Sequence, residues 1–331
     1  MSPVPLTFGC ASVNSGGAWN TPDKIKELFN VLCELGITRL DSGQLYGDCE
    51  ELLGRADVSQ QPFAVDSKVP GGFVPGSLEP GRLVADFHAS LKSLGLTKID
   101  TLFIHGPDPS LPLAPALQAL DSLHRQGFFA RLGLSNYKAD DVVVVHKLCT
   151  ENGWNPPTVY QGNYSAFTRR QESEILPTLR KLGMSFSAYS PLAGGFLARR
   201  SLGELTAQET GGRFYVDPTD PEGRKGGLGL YREMFSSRPA LVQALAEWSS
   251  IADAAGCSSP AEMAVRWIVW DSALEADRGD RVTCGATHLD QLRNMVRWIE
   301  KGSLGPDTCA KIDVLWEGIK DVAPLDNLNR S

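Results

Sequence analysis

The sequence alternates between two hydrophobic periods, and this alternation restricts the fold more than any other feature. Short apolar runs, typical of buried strands, are each followed by a stretch with the apolar spacing of a helix that packs on one side. Eight such runs are predicted as strands: 6–11, 37–40, 63–68, 99–104, 130–134, 158–162, 184–189 and 281–286. Eight strand–helix units favour a closed barrel over an open sheet. The sequence therefore predicts an α/β fold of the (β/α)8, or TIM barrel, class, formed by residues 1–331 as a single domain.

One segment interrupts the alternation. Residues 193–239 follow the seventh predicted strand, are rich in Gly, Arg and Asp, and show only weak periodicity. A connection of this length in a compact domain is usually a functional lid or a disordered loop. Helices are predicted again at 240–255 and 260–270, before the eighth strand, and at 307–322, outside the barrel.

Four polar residues stand at or just beyond the ends of the second, third and fourth predicted strands: Asp41, Tyr46, Lys68 and His105. A parallel barrel builds its active site from the carboxyl ends of its strands and the loops after them. A Lys ammonium near a Tyr favours the phenolate, because an opposite charge stabilises the charged form. Asp41 would orient Lys68, and His105 could hydrogen-bond a carbonyl oxygen. This group therefore predicts a proton donor for carbonyl reduction.

Net charge and cysteine usage narrow the class of protein further. A formal net charge of -7 and a pI near 5.3 argue against a sequence-independent nucleic-acid binder, which needs a basic face for phosphates. The seven cysteines are odd in number and scattered, and they contain no C-x-x-C pair. Reduced thiols in a cytoplasmic protein are the simplest interpretation. We also expect no secretory signal, no membrane span and no metal site, because none of their patterns is recognisable.

The stretch that begins at Asp41, Asp-Ser-Gly-x-x-Tyr-Gly-x-x-Glu-x-x-Leu-Gly, resembles the first signature of the aldo-keto reductase superfamily, with Ser-Gly in place of the usual Thr-Ala. The four strand-end residues fall on the catalytic tetrad of that family. The resemblance implies a reductase that converts aldehydes or ketones to alcohols with NADPH. Tyr46 would protonate the carbonyl oxygen while hydride passes to the carbonyl carbon. Lys68 and Asp41 would tune that tyrosine, and His105 would orient and polarise the carbonyl.

The resemblance also implies a site for NADPH/NADP+ along the later strand ends. Ser135, Asn136 and Gln161 would bind the nicotinamide carboxamide, since a hydroxyl and two amides suit its donors and acceptor. Tyr189 would stack on the nicotinamide ring. Contacts with the pyrophosphate and the adenosine are expected at Ser190, Leu192, Gly194, Arg200, Arg213, Gly285, Thr287, His288 and Gln291.

These assignments have structural alternatives. The serine and asparagine after the fifth strand could make only a turn, and Tyr189 could be a core residue. Arg200 and Arg213 could clamp the pyrophosphate bidentately or could be solvated loop charges. Met295 stands where the family usually has an Asn four residues after the Gln, so a strict preference for NADPH over NADH does not follow from the resemblance.

Several runs between residues 150 and 200, including 157–164 and 191–195, resemble the aflatoxin-aldehyde reductase branch, which suggests a homodimer. Potassium-channel β-subunits are similar in fold, tetrad and cofactor site, but they serve chiefly as redox-sensing partners of a channel. A cofactor-binding regulatory subunit is therefore the alternative function. A barrel hydrolase would require a second carboxylate near Asp41, and the lysine paired with it argues against that chemistry.

Overall fold

Eight parallel strands close into a barrel in the computed structural model of the protein, which describes residues 2–206, 214 and 228–329. Each strand pairs with the next, and the eighth pairs with the first, so both edges of the sheet are joined. The strands are β1 (Leu6–Gly9), β2 (Arg39–Asp41), β3 (Ala64–Val69), β4 (Ile99–Ile104), β5 (Phe129–Ser135), β6 (Pro157–Asn163), β7 (Ser185–Tyr189) and β8 (Arg281–Cys284). The predicted (β/α)8 barrel is confirmed, although β1 and β8 are shorter than their apolar runs.

Helices cover the outside of the barrel. They are α1 (Pro22–Glu34), α2 (Cys49–Arg55), α3 (Pro80–Leu94), α4 (Leu113–Arg125), α5 (Ala139–Glu151), α6 (Gln171–Glu174), α7 (Leu176–Lys181), α8 (Leu202–Thr206), α9 (Leu228–Tyr231), α10 (Pro239–Ala254), α11 (Pro260–Arg266), α12 (Leu289–Ile299) and α13 (Pro306–Ile319). Buried helical residues such as Phe87 and Trp248 form one hydrophobic core with strand residues such as Phe8 and Leu40. The core therefore lies between the sheet and the helices.

Start and stop signals in the sequence set the ends of two helices. The backbone N–H of Lys24 donates to the Thr21 hydroxyl (3.4 Å) where α1 begins, and Pro22 occupies its first turn. Gly95 ends α3 in the left-handed conformation, with φ of 64°. These signals return the chain to the sheet after a short connection, as the alternation of strand and helix requires.

Two helices differ from their predictions. The strand–helix alternation predicts one helix between β6 and β7, over residues 172–182, but it is divided into α6 and α7, because Ile175 takes a non-helical conformation (φ -120°, ψ -51°) ahead of Pro177. Proline lacks an N–H and its ring crowds the preceding turn, so a continuous helix does not pass through it. The helix predicted at 260–270 is α-helical only over α11 and then widens into a π-helical turn at Trp267–Asp271.

The long connection after β7 contains more regular structure than its sequence predicts. A 3-10 segment at Ala193–Ala198 precedes α8, and α9 continues into a π-helical turn at Arg232–Ser236. The rings of Phe196 and Phe235 stack with centroids 5.5 Å apart, which joins the two parts of the connection. This packing brings Tyr231 to the carboxyl end of β7.

No described helix combines the length and the apolar character needed to cross a membrane. Among the same residues, no three His, Cys, Asp or Glu side chains are placed to hold a metal ion together. All seven cysteines are free thiols.

Candidate active site

The four predicted catalytic residues converge at the carboxyl end of the barrel. Asp41 ends β2, Lys68 lies near the end of β3, and His105 follows β4. The Lys68 ammonium donates to Asp41 Oδ1 (2.7 Å) and to the backbone carbonyl of Ser42 (2.7 Å). Its Nζ lies 4.9 Å from the centre of the Tyr46 ring. The rings of Tyr46 and His105 meet edge-on with centroids 5.9 Å apart, so the structure brings all four side chains together.

Burial and neighbouring charges set the protonation states of this group. Burial raises the pKa of Tyr46 to about 12, and Lys68 opposes this shift in the predicted direction but has the smaller effect. Burial alone would lower the pKa of Lys68, but the Asp41 carboxylate and Tyr46 hold it above its ordinary value. Burial, aided by the Lys68 charge, lowers the pKa of His105 to about 3. At neutral pH the site therefore contains a protonated tyrosine, an ammonium ion and an uncharged imidazole.

A tight loop after β2 positions Tyr46. The Tyr46 N–H donates to the Gly43 carbonyl (3.0 Å), and Gly47 has a φ of 68°, a conformation that favours glycine. A Cβ built on Gly43 would lie 3.4 Å from two side-chain carbons of Lys68. The small residue at position 43 therefore lets the loop lie directly against the lysine.

Phe73 and Leu328 border the site around His105. The rings of Phe73 and His105 meet edge-on with centroids 5.0 Å apart. A Cβ built on Gly106 would lie 2.7 Å from Leu328 Cδ1, so that side chain packs against the loop after β4. No motif or periodicity in the sequence marks Leu328.

Amide and hydroxyl side chains line the ends of β5, β6 and β7, where the cofactor carboxamide is expected. Asn136 donates through Nδ2 to the backbone carbonyl of His105 (2.9 Å) and to Ser135 Oγ (3.1 Å). The Tyr189 hydroxyl donates to Asn136 Oδ1 (2.9 Å). Gln161 is paired in register with Ser135 and donates to Asp41 Oδ1 (2.9 Å). Donors and acceptors of this kind suit a planar amide, so these residues fit a nicotinamide carboxamide.

Asn163 belongs to this wall as well, although no sequence motif selected it. It lies two residues after Gln161 on β6 and therefore on the same inward-facing side of the strand. Its side chain is fully buried, and neither amide atom has a hydrogen-bond partner within the described part of the chain. Buried amides normally have partners, so Asn163 is a further candidate for ligand contact. The spacing of two from Gln161 is the signal that could have identified it.

Backbone strain marks the same strand ends. Asn136, Ser190 and Ala193 have positive φ angles of 60°, 57° and 50°, which residues other than glycine rarely adopt. Such conformations cost on the order of 1–3 kcal/mol each and collect at functional sites. The strain therefore coincides with the segments in which the sequence predicts cofactor contacts.

The residues expected along the pyrophosphate lie beneath Tyr231. The Tyr231 hydroxyl and Ser190 Oγ are 2.9 Å apart. A Cβ built on Gly194 would lie 2.2 Å from Tyr231 Cδ1, so only glycine allows this approach of the ring. The Leu192 carbonyl accepts from the N–H of Gly195 (2.9 Å), which closes the turn after β7. The turn contributes small residues and backbone groups to the expected pyrophosphate site, and the Tyr231 ring packs against it.

Only one of the two arginines expected to clamp the pyrophosphate, Arg200, belongs to the described residues. The Arg200 guanidinium donates to both carboxylate oxygens of Asp253 (2.8 and 2.9 Å) in an exposed ion pair. An exposed pair contributes little to stability, so Asp253 does not prevent Arg200 from changing partner. Arg213 lies outside the described residues. Contact with the pyrophosphate stays a prediction for both.

An open cavity of about 590 Å³ lies at the expected adenosine end. It is lined by Gly17, Ala18, Trp19, Lys24, Glu27, Thr287, His288, Leu289, Asp290 and Arg293. Gln291 Oε1 accepts from the Thr287 N–H (2.8 Å) at the start of α12, and Gly285 directly follows β8. Met295 is buried with Cys284 and does not line the cavity.

The chain was also compared with known proteins. The family model described as "Aldo/keto reductase family" matches residues 5–317. The chain belongs to the aldo/keto reductase family. The family predicted from the motif at Asp41 is therefore confirmed.

Several reductases and an oxidoreductase are similar to the chain over most of their own length. Aflatoxin B1 aldehyde reductase member 2 of Rattus norvegicus is 33% identical over an alignment of 341 positions, which covers 98% of this chain and 90% of the relative. Aflatoxin B1 aldehyde reductase member 4 of Homo sapiens is 34% identical over 294 residues, 86% of each chain. Oxidoreductase sirO of Leptosphaeria maculans is 32% identical over 310 residues, 93% of this chain and 90% of the relative. The predicted similarity to aflatoxin-aldehyde reductases is confirmed.

Membership of the aldo/keto reductase family makes this chain an oxidoreductase that acts on small carbonyl compounds. The prediction of an enzyme is confirmed. Aldo/keto reductases generally use a nicotinamide cofactor, and the amide wall of Ser135, Asn136 and Gln161 fits that group.

The contact between Gly194 and Tyr231 gives a test of the cofactor path in this aldo/keto reductase. Gly194→Ala forces Cβ to within 2.2 Å of the Tyr231 ring, so we expect the segment over the strand ends to shift. The Kd for NADPH should rise about tenfold, which corresponds to a loss of about 1.4 kcal/mol of binding free energy. Gly195→Ala is the matched control, because Gly195 also has a positive φ (102°) but no atom lies within 4 Å of its built Cβ. Fluorescence titration with NADPH measures both variants, and equal Kd values would contradict the prediction.

Proposed function

We propose that this enzyme reduces aldehydes or ketones to alcohols with NADPH, and that Tyr46 donates the proton. The proposal rests on the buried ion pair of Lys68 and Asp41 and on the position of Tyr46 beside it, where the ammonium lies 4.9 Å from the tyrosine ring. Burial keeps the tyrosine protonated until a carbonyl oxygen accepts its proton. The ammonium then stabilises the negative charge that develops on the phenolic oxygen.

Each residue of the tetrad has a separate task in this mechanism. A bound nicotinamide would supply hydride to the carbonyl carbon. Tyr46 delivers its proton to the carbonyl oxygen, and Lys68 lowers the free energy of the phenolate that remains. Asp41 holds the ammonium in place by accepting a hydrogen bond from Lys68 Nζ to its Oδ1 (2.7 Å). The imidazole of His105, with a pKa of about 3, stays uncharged and can donate one N–H to the same oxygen.

The cofactor would extend along the strand ends from β5 to β8. Ser135, Asn136 and Gln161 would bind the carboxamide, and Tyr189, held by Asn136, would lie against the ring. The pyrophosphate would cross the turn after β7, where small residues let backbone groups approach its oxygen atoms. The adenosine would reach the start of α12, where a helix N-terminus supplies free N–H groups. The residues proposed for these last two parts are Ser190, Leu192, Gly194, Arg200, Arg213, Gly285, Thr287, His288 and Gln291.

Charges around the adenosine cavity support NADPH over NADH. Lys24 and Arg293 line the cavity, and a 2′-phosphate is best bound by cationic donors. Glu27 and Asp290 line it too, and an Arg293 nitrogen lies 3.6 Å from Asp290. Because the phosphate must compete with a carboxylate, we expect a graded preference for NADPH and measurable activity with NADH.

Oxidation of NADPH, followed by absorbance, tests the proposed function. The carbonyl panel contains 4-nitrobenzaldehyde, succinic semialdehyde and a 1,2-diketone, with NADH in parallel. We expect turnover of at least one carbonyl and a higher kcat/KM with NADPH. Tight binding of NADPH without turnover of any carbonyl would instead favour a redox-sensing regulatory subunit.

The pH profile of carbonyl reduction tests the protonation states. With a Tyr46 pKa of about 12 and a His105 pKa of about 3, neither group titrates in the ordinary assay range. Tyr46 loses the proton that reduction requires only as the pH rises towards its pKa, so any loss of activity from this residue lies on the alkaline side. We expect kcat to be flat between about pH 5 and pH 9. An inflection between about pH 6 and pH 8 would contradict the assignment.

Three further sequence predictions remain part of the proposal. They are a single domain, a homodimer and a cytoplasmic location. Size-exclusion chromatography with light scattering measures the molar mass in solution and so tests the homodimer.

A further inference from the structure

A second group of charged side chains lies near the amino end of the barrel, opposite the candidate active site. These side chains come from β2, β3, β4, β5 and β8. The residues are Arg39, Asp66, Asp100, Arg131 and Arg281. None of them has a role in the reduction proposed above.

Most of these charges are paired with one another. Arg39 Nη1 donates to Asp66 Oδ1 (2.7 Å) and to Asp100 Oδ1 (2.8 Å). Arg131 donates through Nε and Nη2 to the same Asp100 oxygen (3.0 and 2.6 Å). Asp66 Oδ1 also accepts the backbone N–H of Thr101 (3.0 Å). These contacts occupy both carboxylates and two of the guanidinium groups.

Arg281 is the exception. Its side chain is partly buried, and within the described residues its guanidinium has neither a hydrogen bond nor an ion pair. The carboxylate of its neighbour Asp280 is bound by Arg180 (2.9 and 2.5 Å) and is not available to it. Burial and the charges of Arg39 and Arg131 lower the pKa of Arg281. The group therefore carries one positive charge in excess.

A small cavity lies among these side chains. Arg39, Arg131 and Arg281 line it together with Thr101, Ser185 and Ser187. The Asp66 carboxylate also lines it, and Arg39 neutralises that charge through its hydrogen bond (2.7 Å). The cavity has a volume of about 10 Å³, which is enough for one particle of the size of a water molecule. Guanidinium groups present several N–H donors, and a serine hydroxyl can turn its hydrogen towards an acceptor. The cavity therefore offers both donors and positive charge to a single small ion.

We propose that this cavity binds one small monovalent inorganic anion, such as chloride, which neutralises the excess charge at the amino end of the barrel. Ions in bulk solution screen a partly buried charge less effectively than an exposed one, which favours a bound ion. Because the arginines come from three different strands, the complete site exists only in the folded protein. Binding would therefore stabilise the fold by mass action.

Thermal unfolding at constant ionic strength tests this proposal. In sodium chloride the wild-type Tm should be about 2 °C higher than in sodium gluconate, whose anion is too large for the cavity. Arg281→Gln removes the guanidinium and should abolish the difference. Arg278→Gln is the matched control, because Arg278 forms an exposed ion pair with Glu275 (2.8 Å) three residues before Arg281. This control should keep the chloride effect.

Bromide locates the ion directly. Crystals of the wild type soaked in sodium bromide should show an anomalous peak between Arg39, Arg131 and Arg281, and crystals of Arg281→Gln should not. Bromide at surface positions only, or equal chloride dependence of Tm in the wild type and Arg281→Gln, would overturn the proposal. If Arg281→Gln does not fold, the wild-type crystals alone test the proposal: a bromide peak between the three arginines supports it, and the absence of that peak overturns it.

Discussion

We expect Tyr46→Phe to lower carbonyl turnover by about 10²–10⁴-fold, the usual contribution of a positioned general acid. The substitution removes only the hydroxyl and keeps the ring that meets His105 edge-on at 5.9 Å. The cofactor contacts proposed at β5 to β8 are not altered, so the Kd for NADPH should stay within about twofold of the wild-type value. Steady-state kinetics and fluorescence titration measure the two quantities.

Tyr137→Phe is the matched control for this experiment. The Tyr137 hydroxyl is also buried, and it has no hydrogen-bond partner among the described residues. Its removal breaks no interaction, so turnover should be close to that of the wild type. Near-wild-type turnover of Tyr46→Phe would refute the assignment of the proton donor.

We expect Lys68→Met to lower both the free energy of unfolding and the turnover. The side chain of Lys68 is fully buried and that of Asp41 is 4% exposed. Removal of one partner from such a pair leaves an uncompensated charge and costs about 3–5 kcal/mol. Tyr46 also loses the cation that lowers its pKa, so turnover should fall by about 10²-fold or more. Urea unfolding and steady-state kinetics measure these effects.

The double variant Asp41→Asn/Lys68→Met separates stability from catalysis. An amide at position 41 carries no charge and can still accept the hydrogen bond from Gln161 Nε2, which is 2.9 Å long in the wild type. We expect the double variant to regain most of the lost stability and none of the turnover. Wild-type turnover in either variant would argue against Lys68 as the tuning charge.

The candidate catalytic site could be predicted from the sequence because its members are tied to strand ends. The apolar runs before Asp41, Lys68 and His105 identify β2, β3 and β4. A parallel barrel collects the carboxyl ends of its strands on one face. The identities of the residues at those ends were therefore sufficient to predict which side chains form the site. The motif after β2 then added Tyr46, whose loop depends on local glycines.

Protonation states and long-range pairs could not be predicted in the same way. Lys68 was expected to favour the phenolate of Tyr46, but the extent of burial, which raises that pKa to about 12, depends on the whole fold. Arg200 pairs with Asp253, which is 53 positions away on α10, and no local pattern indicates that contact. The spacing of Asn163 from Gln161 could have suggested that it faces inward, but only the fold shows that its amide is buried and has no partner among the described residues.

Closure of the barrel by β1 and β8 has a consequence for protein synthesis. β1 can pair with β2 early, but its other edge pairs with β8, where Leu6 lies opposite Val282, so that edge stays open until β8 has left the ribosome. Until then the growing sheet has open edges, which are prone to pair with other chains. The last strand also precedes Gly285 and Thr287, which we propose to contact the cofactor. A nascent chain is therefore expected to need chaperone protection until β8 has emerged and to acquire cofactor affinity only after that point.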